Sequence, residues 1–243
     1  MNNNNPQKII EKTRDDYNLI AKEWDLSRNR ASQLKINLTK NIKPKTKVLD
    51  IGCGNALILP FILEKDAFYC GIDISKKLIE IAREKYKKEI EERKAEFFVG
   101  QATEFPFKNE EFDLALSFAV LHHIPSMELR KKFFEEIKRT SKPNAEVKII
   151  VWNLLSAWVN DRFDIENKLK GKNSGDVFVP WKATQGKIIN RFTHQFSKKE
   201  LLLLAKEAGF KNIEIDYYNR AGEIVENGEE MVLKMENVSQ DQP

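Results

Sequence analysis

The chain has 243 residues, of which 41% are hydrophobic and 32% charged. That balance fits one α/β domain with a sizeable core, and no apolar run reaches bilayer-spanning length. Cys53 and Cys70 are too few, and too far from other ligand types, to imply a metal site or a disulfide framework.

The opening MNNNNPQKII lacks an apolar signal-like core and reads as a short disordered tail, so a cytoplasmic location with no membrane association is expected. The net charge of +4 is unevenly spread. Residues 1–47 hold 11 Lys/Arg against 5 Asp/Glu and 182–211 hold 7 against 2, whereas 212–243 hold 2 against 8. The two basic segments are either a footprint for a polyanion or solvated helix faces.

From residue 47 the chain alternates strand and helix signals. KVLDI (47–51) is a short apolar strand, followed by a helix after Asn55, and FYCGIDI (68–74) is a second strand. Residues 76–94 read as one helix, with Leu78, Ile81, Ala82 and Tyr86 near helical spacing. AEFFVG (95–100), FDLALSFAV (112–120) and EVKIIVW (146–152) are strands, and 126–140 is a helix with Ser126 as N-cap. Between Asn153 and about Asn190 the pattern lapses into a stretch too long for an ordinary connection, which suggests a functional insertion or lid. SKKELLLLAKEAGF (197–210) restores a helix, with Ser197 and Glu200 at capping-box spacing. NIEIDYY and EMVLKMENV close the pattern as strands, and the end frays into SQDQP. Strands alternating with helices imply a parallel sheet covered on both faces.

The stretch LDIGCGN places a tight turn directly after a buried strand. Gly52 and Gly54 let the backbone turn sharply and approach a ligand with no Cβ in the way. A pyrophosphate-binding turn would carry a third glycine, but Leu57 stands there, and Asp50 would repel a phosphate. A sulfonium or ammonium would instead be attracted. Asp73, 19 residues past Gly54, ends the next strand where a carboxylate can accept from both ribose hydroxyls, unless it merely caps the helix near Ser75. Together these residues point to an adenosine bearing a cationic group and no phosphate.

VLDIGCGNA, GIDIS and FDLALSFAVLHHI resemble the class I S-adenosylmethionine-dependent methyltransferases. The resemblance implies a Rossmann-like α/β fold with a seven-stranded, mostly parallel sheet, its last strand antiparallel, and helices on both faces. It implies S-adenosyl-L-methionine as cofactor, with Asp50, Gly52 and Gly54 along the methionine half, Asp73 at the ribose and Ile74 at the adenine. Gln101, Ala102 and Phe118 complete the implied cofactor site, with Tyr17 and Arg28 either an N-terminal cover over it or ordinary helix packing. Gln101 replaces a common Asp, though its side-chain carbonyl can still accept from the adenine amine, and Ala56 replaces a frequent glycine.

Further pieces, YNLIAKEWDLSR, AVLHHI, VPW, NRFTHQFSKKEL and YYN, resemble the tRNA wobble-uridine carboxymethyl methyltransferases. That family converts 5-carboxymethyluridine at the wobble position into its methyl ester, which implies tRNA as substrate and a small activator protein as a candidate partner. On this reading the domain divides into an N-terminal helical cover (1–46), a cofactor-binding core (47–152), a substrate-side insertion (153–196) and a C-terminal helix with closing strands (197–243).

A carboxylate nucleophile is already ionised at neutral pH and needs no base, only a group that orients it. Arg191 with His194, at i and i+3, would form such a grip; alternatively Arg191 binds an acidic side chain in the lid and His194 caps the next helix. Of His122 and His123, one is expected to face the substrate and the other to pack; His123 is a candidate base for an oxygen or nitrogen nucleophile. No metal is expected. Trp152, Trp158 and Trp181 are either core or a platform for an unpaired base. Two other functions remain open: a small-molecule O- or N-methyltransferase, and a non-catalytic cofactor-binding subunit.

Overall fold

The computed structural model describes residues 5–172, 174–182 and 188–238, so the expectations for residues 1–4 and for SQDQP lie outside it. Helix α1 (Pro6–Ser27) starts inside the segment expected to be a tail. The Asn5 side chain accepts from the Gln7 N–H, and Pro6 occupies the first turn, where its missing N–H costs nothing. Helix α2 (Gln33–Thr39) follows, capped by Ser32.

The core then runs β1 (Lys47–Ile51), α3 (Leu59–Leu63), β2 (Phe68–Asp73), α4 (Lys76–Lys85), α5 (Lys87–Glu91), β3 (Ala95–Val99) and β4 (Phe112–Phe118). A 3-10 turn (Leu121–His123), α6 (Met127–Thr140) and β5 (Ser141–Trp152) complete it. The insertion holds α7 (Ala157–Phe163), α8 (Ile165–Leu169), β6 (Asp176–Lys182) and β7 (Ile188–His194). The chain closes with α9 (Lys198–Glu207), β8 (Lys211–Tyr218), β9 (Ile224–Val225) and β10 (Glu230–Glu236).

The main sheet has the order β3-β2-β1-β4-β5-β10-β8-β9. Strands β1 to β5 are mutually parallel, and β10 is antiparallel to both neighbours. The seven expected strands are joined by the two-residue β9 at one edge. From β1 the chain winds outward to β2 and β3, then returns to β4 and β5 on the other side. The switch between β1 and β4 opens a crevice at their carboxyl ends, where open α/β sheets bind ligands. Side chains alternate across the sheet: Leu49 and Ile51 join a cluster with Phe133, Ile137, Leu201 and Phe210, while Val48 joins one with Leu34, Leu59 and Ile79.

Three local expectations are corrected. The helix read over 76–94 breaks at Tyr86, whose ring is buried and whose hydroxyl donates to the Ala56 carbonyl (3.1 Å). The helix after Asn55 starts only at Leu59, because the chain first turns through Ala56 at φ +56°, a conformation that glycine adopts more readily. Ser197 accepts from the Glu200 N–H (3.1 Å), but the Glu200 carboxylate turns to His194 instead of back to its own helix end.

The insertion is a packed unit. Its hairpin pairs β6 with β7 antiparallel, Val179 opposite Arg191 and Asp176 opposite His194. Leu154, Val159, Ile165, Val177 and Val179 form its own small core, and β7 packs against α1 and the 3-10 turn. No helix among the described residues is long and apolar enough to cross a membrane.

Candidate active site

A cleft of about 1020 Å³ opens over the carboxyl ends of β1, β2 and β4, roofed by α1 and the insertion. Tyr17, Arg28, Asp50, Gly52, Gly54, Asp73, Ile74, Gln101, Ala102, Phe118, His123 and Arg191 all line it. His194 does not. On a strand, residues three apart point to opposite faces, so Arg191 and His194 cannot share one grip.

At the β1 end, Gly52 and Gly54 have φ of +69° and +56°. A Cβ at Gly52 would lie 2.1 Å from Val120 Cγ2, so no larger residue fits that turn. The Gly54 N–H donates to Asp73 Oδ2 (2.9 Å) and the Ser75 N–H to Oδ1 (2.8 Å). The backbone thus aims the Asp73 carboxylate while leaving each oxygen a further lone pair. Helix α1 is tied down by Asn18, which accepts from Ser75 and the Lys77 N–H, and by Asn55, which donates to Asp25 and the Arg28 carbonyl.

Asp50 is buried at the end of β1 and accepts from the Tyr69 hydroxyl (2.6 Å). Burial pushes its carboxyl up to about 6, against the Tyr69 hydrogen bond and the Lys35 ammonium. A ligand cation nearby would favour its ionised form. The turn, the aimed Asp73 and the buried Asp50 therefore fit an adenosine carrying a positive group.

At the insertion end, Arg191 is 5% exposed, and its Nε and Nη1 have no partner among the described residues. Its Cζ sits 5.0 Å over the Trp152 ring, near enough to Tyr17 for its charge to be felt at that half-buried phenol. His123 Nδ1 lies 2.6 Å from the Phe192 carbonyl, which can only accept; Nδ1 therefore carries the proton and Nε2 accepts from the Tyr17 hydroxyl (3.2 Å). Burial, then the Arg191 charge, push His123 down to about 3. His122 points away: its Nδ1 accepts from the Trp152 N–H (3.2 Å) and its ring stacks on Trp152.

Below β7 lies a cluster that sequence reasoning missed. Arg130, 4% exposed on α6, donates to the Ile124 carbonyl (3.1 Å) and reaches Asp176 (3.3 Å) and Glu200 (3.4 Å). His194 Nδ1 lies 2.6 Å from Asp176 and Nε2 lies 3.0 Å from Glu200. Burial pushes His194 down, but its bonds to the two carboxylates outweigh this and leave it above the ordinary value. Among the described residues no cluster of His, Cys, Asp or Glu is arranged to hold a metal ion.

Residues 49–149 match the family described as a methyltransferase domain. The core of this chain is thus similar to such a domain. A solved S-adenosylmethionine-dependent methyltransferase from Methanosarcina mazei has the same fold, with a TM-score of 0.65 at 22% identity, over 84% of this chain and 98% of that one. A tRNA (carboxymethyluridine(34)-5-O)-methyltransferase of Arabidopsis thaliana is 33% identical over 58% of this chain, but over only 34% of its own length. The chain thus spans about a third of that relative. A Haloferax volcanii putative methyltransferase, solved in complex with the Trm112 methyltransferase activator, also shares the fold, with a TM-score of 0.64 at 14% identity over 93% of this chain and 97% of that one. The Methanosarcina neighbour is named for its dependence on S-adenosylmethionine, and the cleft of this chain has residues suited to an adenosine with a positive group.

Proposed function

We propose that the chain methylates a carboxylate, that of 5-carboxymethyluridine at the wobble position of tRNA. The observation that carries this reading is Arg191. A guanidinium so deeply buried with two unpartnered nitrogens is costly unless an anion completes it, and a planar carboxylate matches its fork. Support for the RNA comes from the similarity to the Arabidopsis enzyme.

When bound, S-adenosylmethionine supplies an electrophilic methyl on a sulfonium. Asp73 would hold the ribose hydroxyls, with Ile74, Gln101, Ala102 and Phe118 around the adenine and Asp50 facing the charged end. Arg191 would hold the substrate carboxylate with one oxygen toward the methyl, while Tyr17 and Trp152 exclude water. His123 is no general base in this scheme: its lone pair is taken by Tyr17 and its basicity is suppressed. None is needed, since the nucleophile is ionised. His194 acts at one remove, by anchoring β7. A small activator subunit is proposed from the Haloferax complex alone.

The test is to incubate the purified chain, with and without a Trm112-like activator, with S-adenosylmethionine and tRNA bearing 5-carboxymethyluridine, then digest and identify nucleosides. The methyl ester is expected. Arg191→Lys should lower the single-turnover rate by about ten- to a hundredfold, since an ammonium lacks the fork, and the wild-type rate should stay flat from about pH 6 to 8. A rate that rises with pH and is indifferent to Arg191→Lys would overturn carboxylate methylation. Turnover of free small carboxylates with none on tRNA would favour the small-molecule reading.

A further inference from the structure

Trp158, on α7, stands at the rim of the cleft and is 44% exposed. The other cleft tryptophans pack against aromatic rings of the protein. Trp152 lies between His122 and Arg191, while Trp24 and Trp181 pack on each other at 6.2 Å. Trp158 has no aromatic ring partner among the described residues, yet two guanidiniums lie on it. Arg220 Cζ is 3.6 Å from its ring centroid and Arg162 Cζ is 5.4 Å away. Arg220 is itself mostly exposed and only loosely tied to Glu229, at 3.9 Å.

An exposed indole with one guanidinium stacked at 3.6 Å and a second 5.4 Å away matches one ligand chemistry well: a flat base for the indole face that Arg220 leaves open and a phosphate for the guanidiniums. The cleft, at about 1020 Å³, is at the upper end of small-molecule sites, roughly 300–1,000 Å³. It has room for an acceptor nucleotide beside the cofactor. Arg28 and Arg30 add positive charge to the same lining. Resting on the tRNA reading above, we infer that Trp158 and Arg220 form a platform for the nucleotide next to the methyl acceptor. The base stacks on the indole and the phosphate sits against Arg220 and Arg162. This subsite would make the chain a reader of a single-stranded loop and not of an isolated nucleoside.

The experiment compares two acceptors on the full chain, free 5-carboxymethyluridine and an RNA stem-loop carrying it at the wobble position. Trp158→Ala should lower kcat/KM on the stem-loop by about tenfold or more beyond its effect on the nucleoside, and Trp158→Phe should restore most of that. Binding of the unmodified stem-loop gives a readout independent of turnover. The fall in tryptophan emission on titration should shrink sharply in Trp158→Phe while affinity is largely kept. Arg220→Gln should flatten the plot of log affinity against log salt by about 0.7. If neither acceptor is methylated by the wild type, the proposed reaction fails, but the emission change still decides the platform. Equal losses on both acceptors, an unchanged emission fall in Trp158→Phe, or an unaltered salt slope in Arg220→Gln would overturn it.

Discussion

Strand β7 is gripped by two histidines whose basicities are pushed in opposite directions. His123 holds it through the Phe192 carbonyl and a tyrosine hydroxyl; the carbonyl favours a positive ring, but burial and the Arg191 charge outweigh it and push the imidazole down to about 3. His194, two residues beyond Phe192, lies between two carboxylates, which hold it above the ordinary value despite burial. The difference shows how the site is zoned. On the cleft side the imidazole is kept neutral beside Arg191, whose Nε and Nη1 stay without a partner among the described residues while its charge falls on Tyr17 and the Trp152 ring. On the far side an ionic cluster fixes the strand that carries Arg191.

The largest effect expected from breaking this contrast is at Arg130, which supports both grips. It closes the ionic cluster and also holds the Ile124 carbonyl at the end of the turn carrying His123. Arg130→Met keeps the side-chain bulk against Phe196 but leaves Asp176 and Glu200 with His194 alone. It should cost about 3 kcal/mol in urea unfolding. A loss below about 1 kcal/mol would mean that the cluster does not anchor the hairpin.

Arg130 also marks the limit of what the sequence could reveal. Asp50, Gly52, Gly54 and Asp73 were legible because a tight turn and a strand-end acid are local demands, met within one β-α-β unit. The cluster of Arg130, Asp176, His194 and Glu200 joins four elements, and only the pairing of β6 with β7 brings Asp176 opposite His194. VFV within β6 and the β-branched start of β7 carried a strand signal, but Pro180 and the polar residues between them masked it. Reading Arg191 and His194 as a pair applied helical spacing to a strand. Arg220 lies beyond β8, and nothing nearby in sequence links it to Trp158.

A smaller effect should appear on the acid side through His123. Its folded value of about 3 lies below the ordinary value near 6.5, so between those pH values the unfolded chain binds the extra proton. Stability is then present above about pH 6.5 and declines as pH falls toward 3. His123→Asn should remove about 2 kcal/mol of the stability lost between pH 7.5 and 5, read from urea midpoints. An unchanged acid slope would show that the ring is protonated in the folded state, ending the contrast with His194.

The smallest effect expected is on the alkaline side. The His194 ring faces Asp176 from β6, Glu200 from α9, Arg130 from α6 and the Phe196 ring. With its folded value raised, its contribution is complete below the unfolded value near 6.5 and is lost as pH rises through the folded one. The loss is cushioned. A neutral ring still donates from Nδ1 to Asp176, while Nε2, 3.2 Å from Arg130 Nη1, gives up Glu200 and accepts from that guanidinium instead. Only the attraction to one partly exposed carboxylate disappears, worth about 1 kcal/mol. The wild type should therefore lose about that much between pH 6 and 9, and His194→Gln should lose less over the same range. KM for the carboxylate acceptor should rise over the same interval in the wild type, because β7 carries Arg191, and stay level in His194→Gln. If the variant keeps the wild-type alkaline slope in both stability and KM, His194 is neutral in the folded chain and β7 is held without its charge.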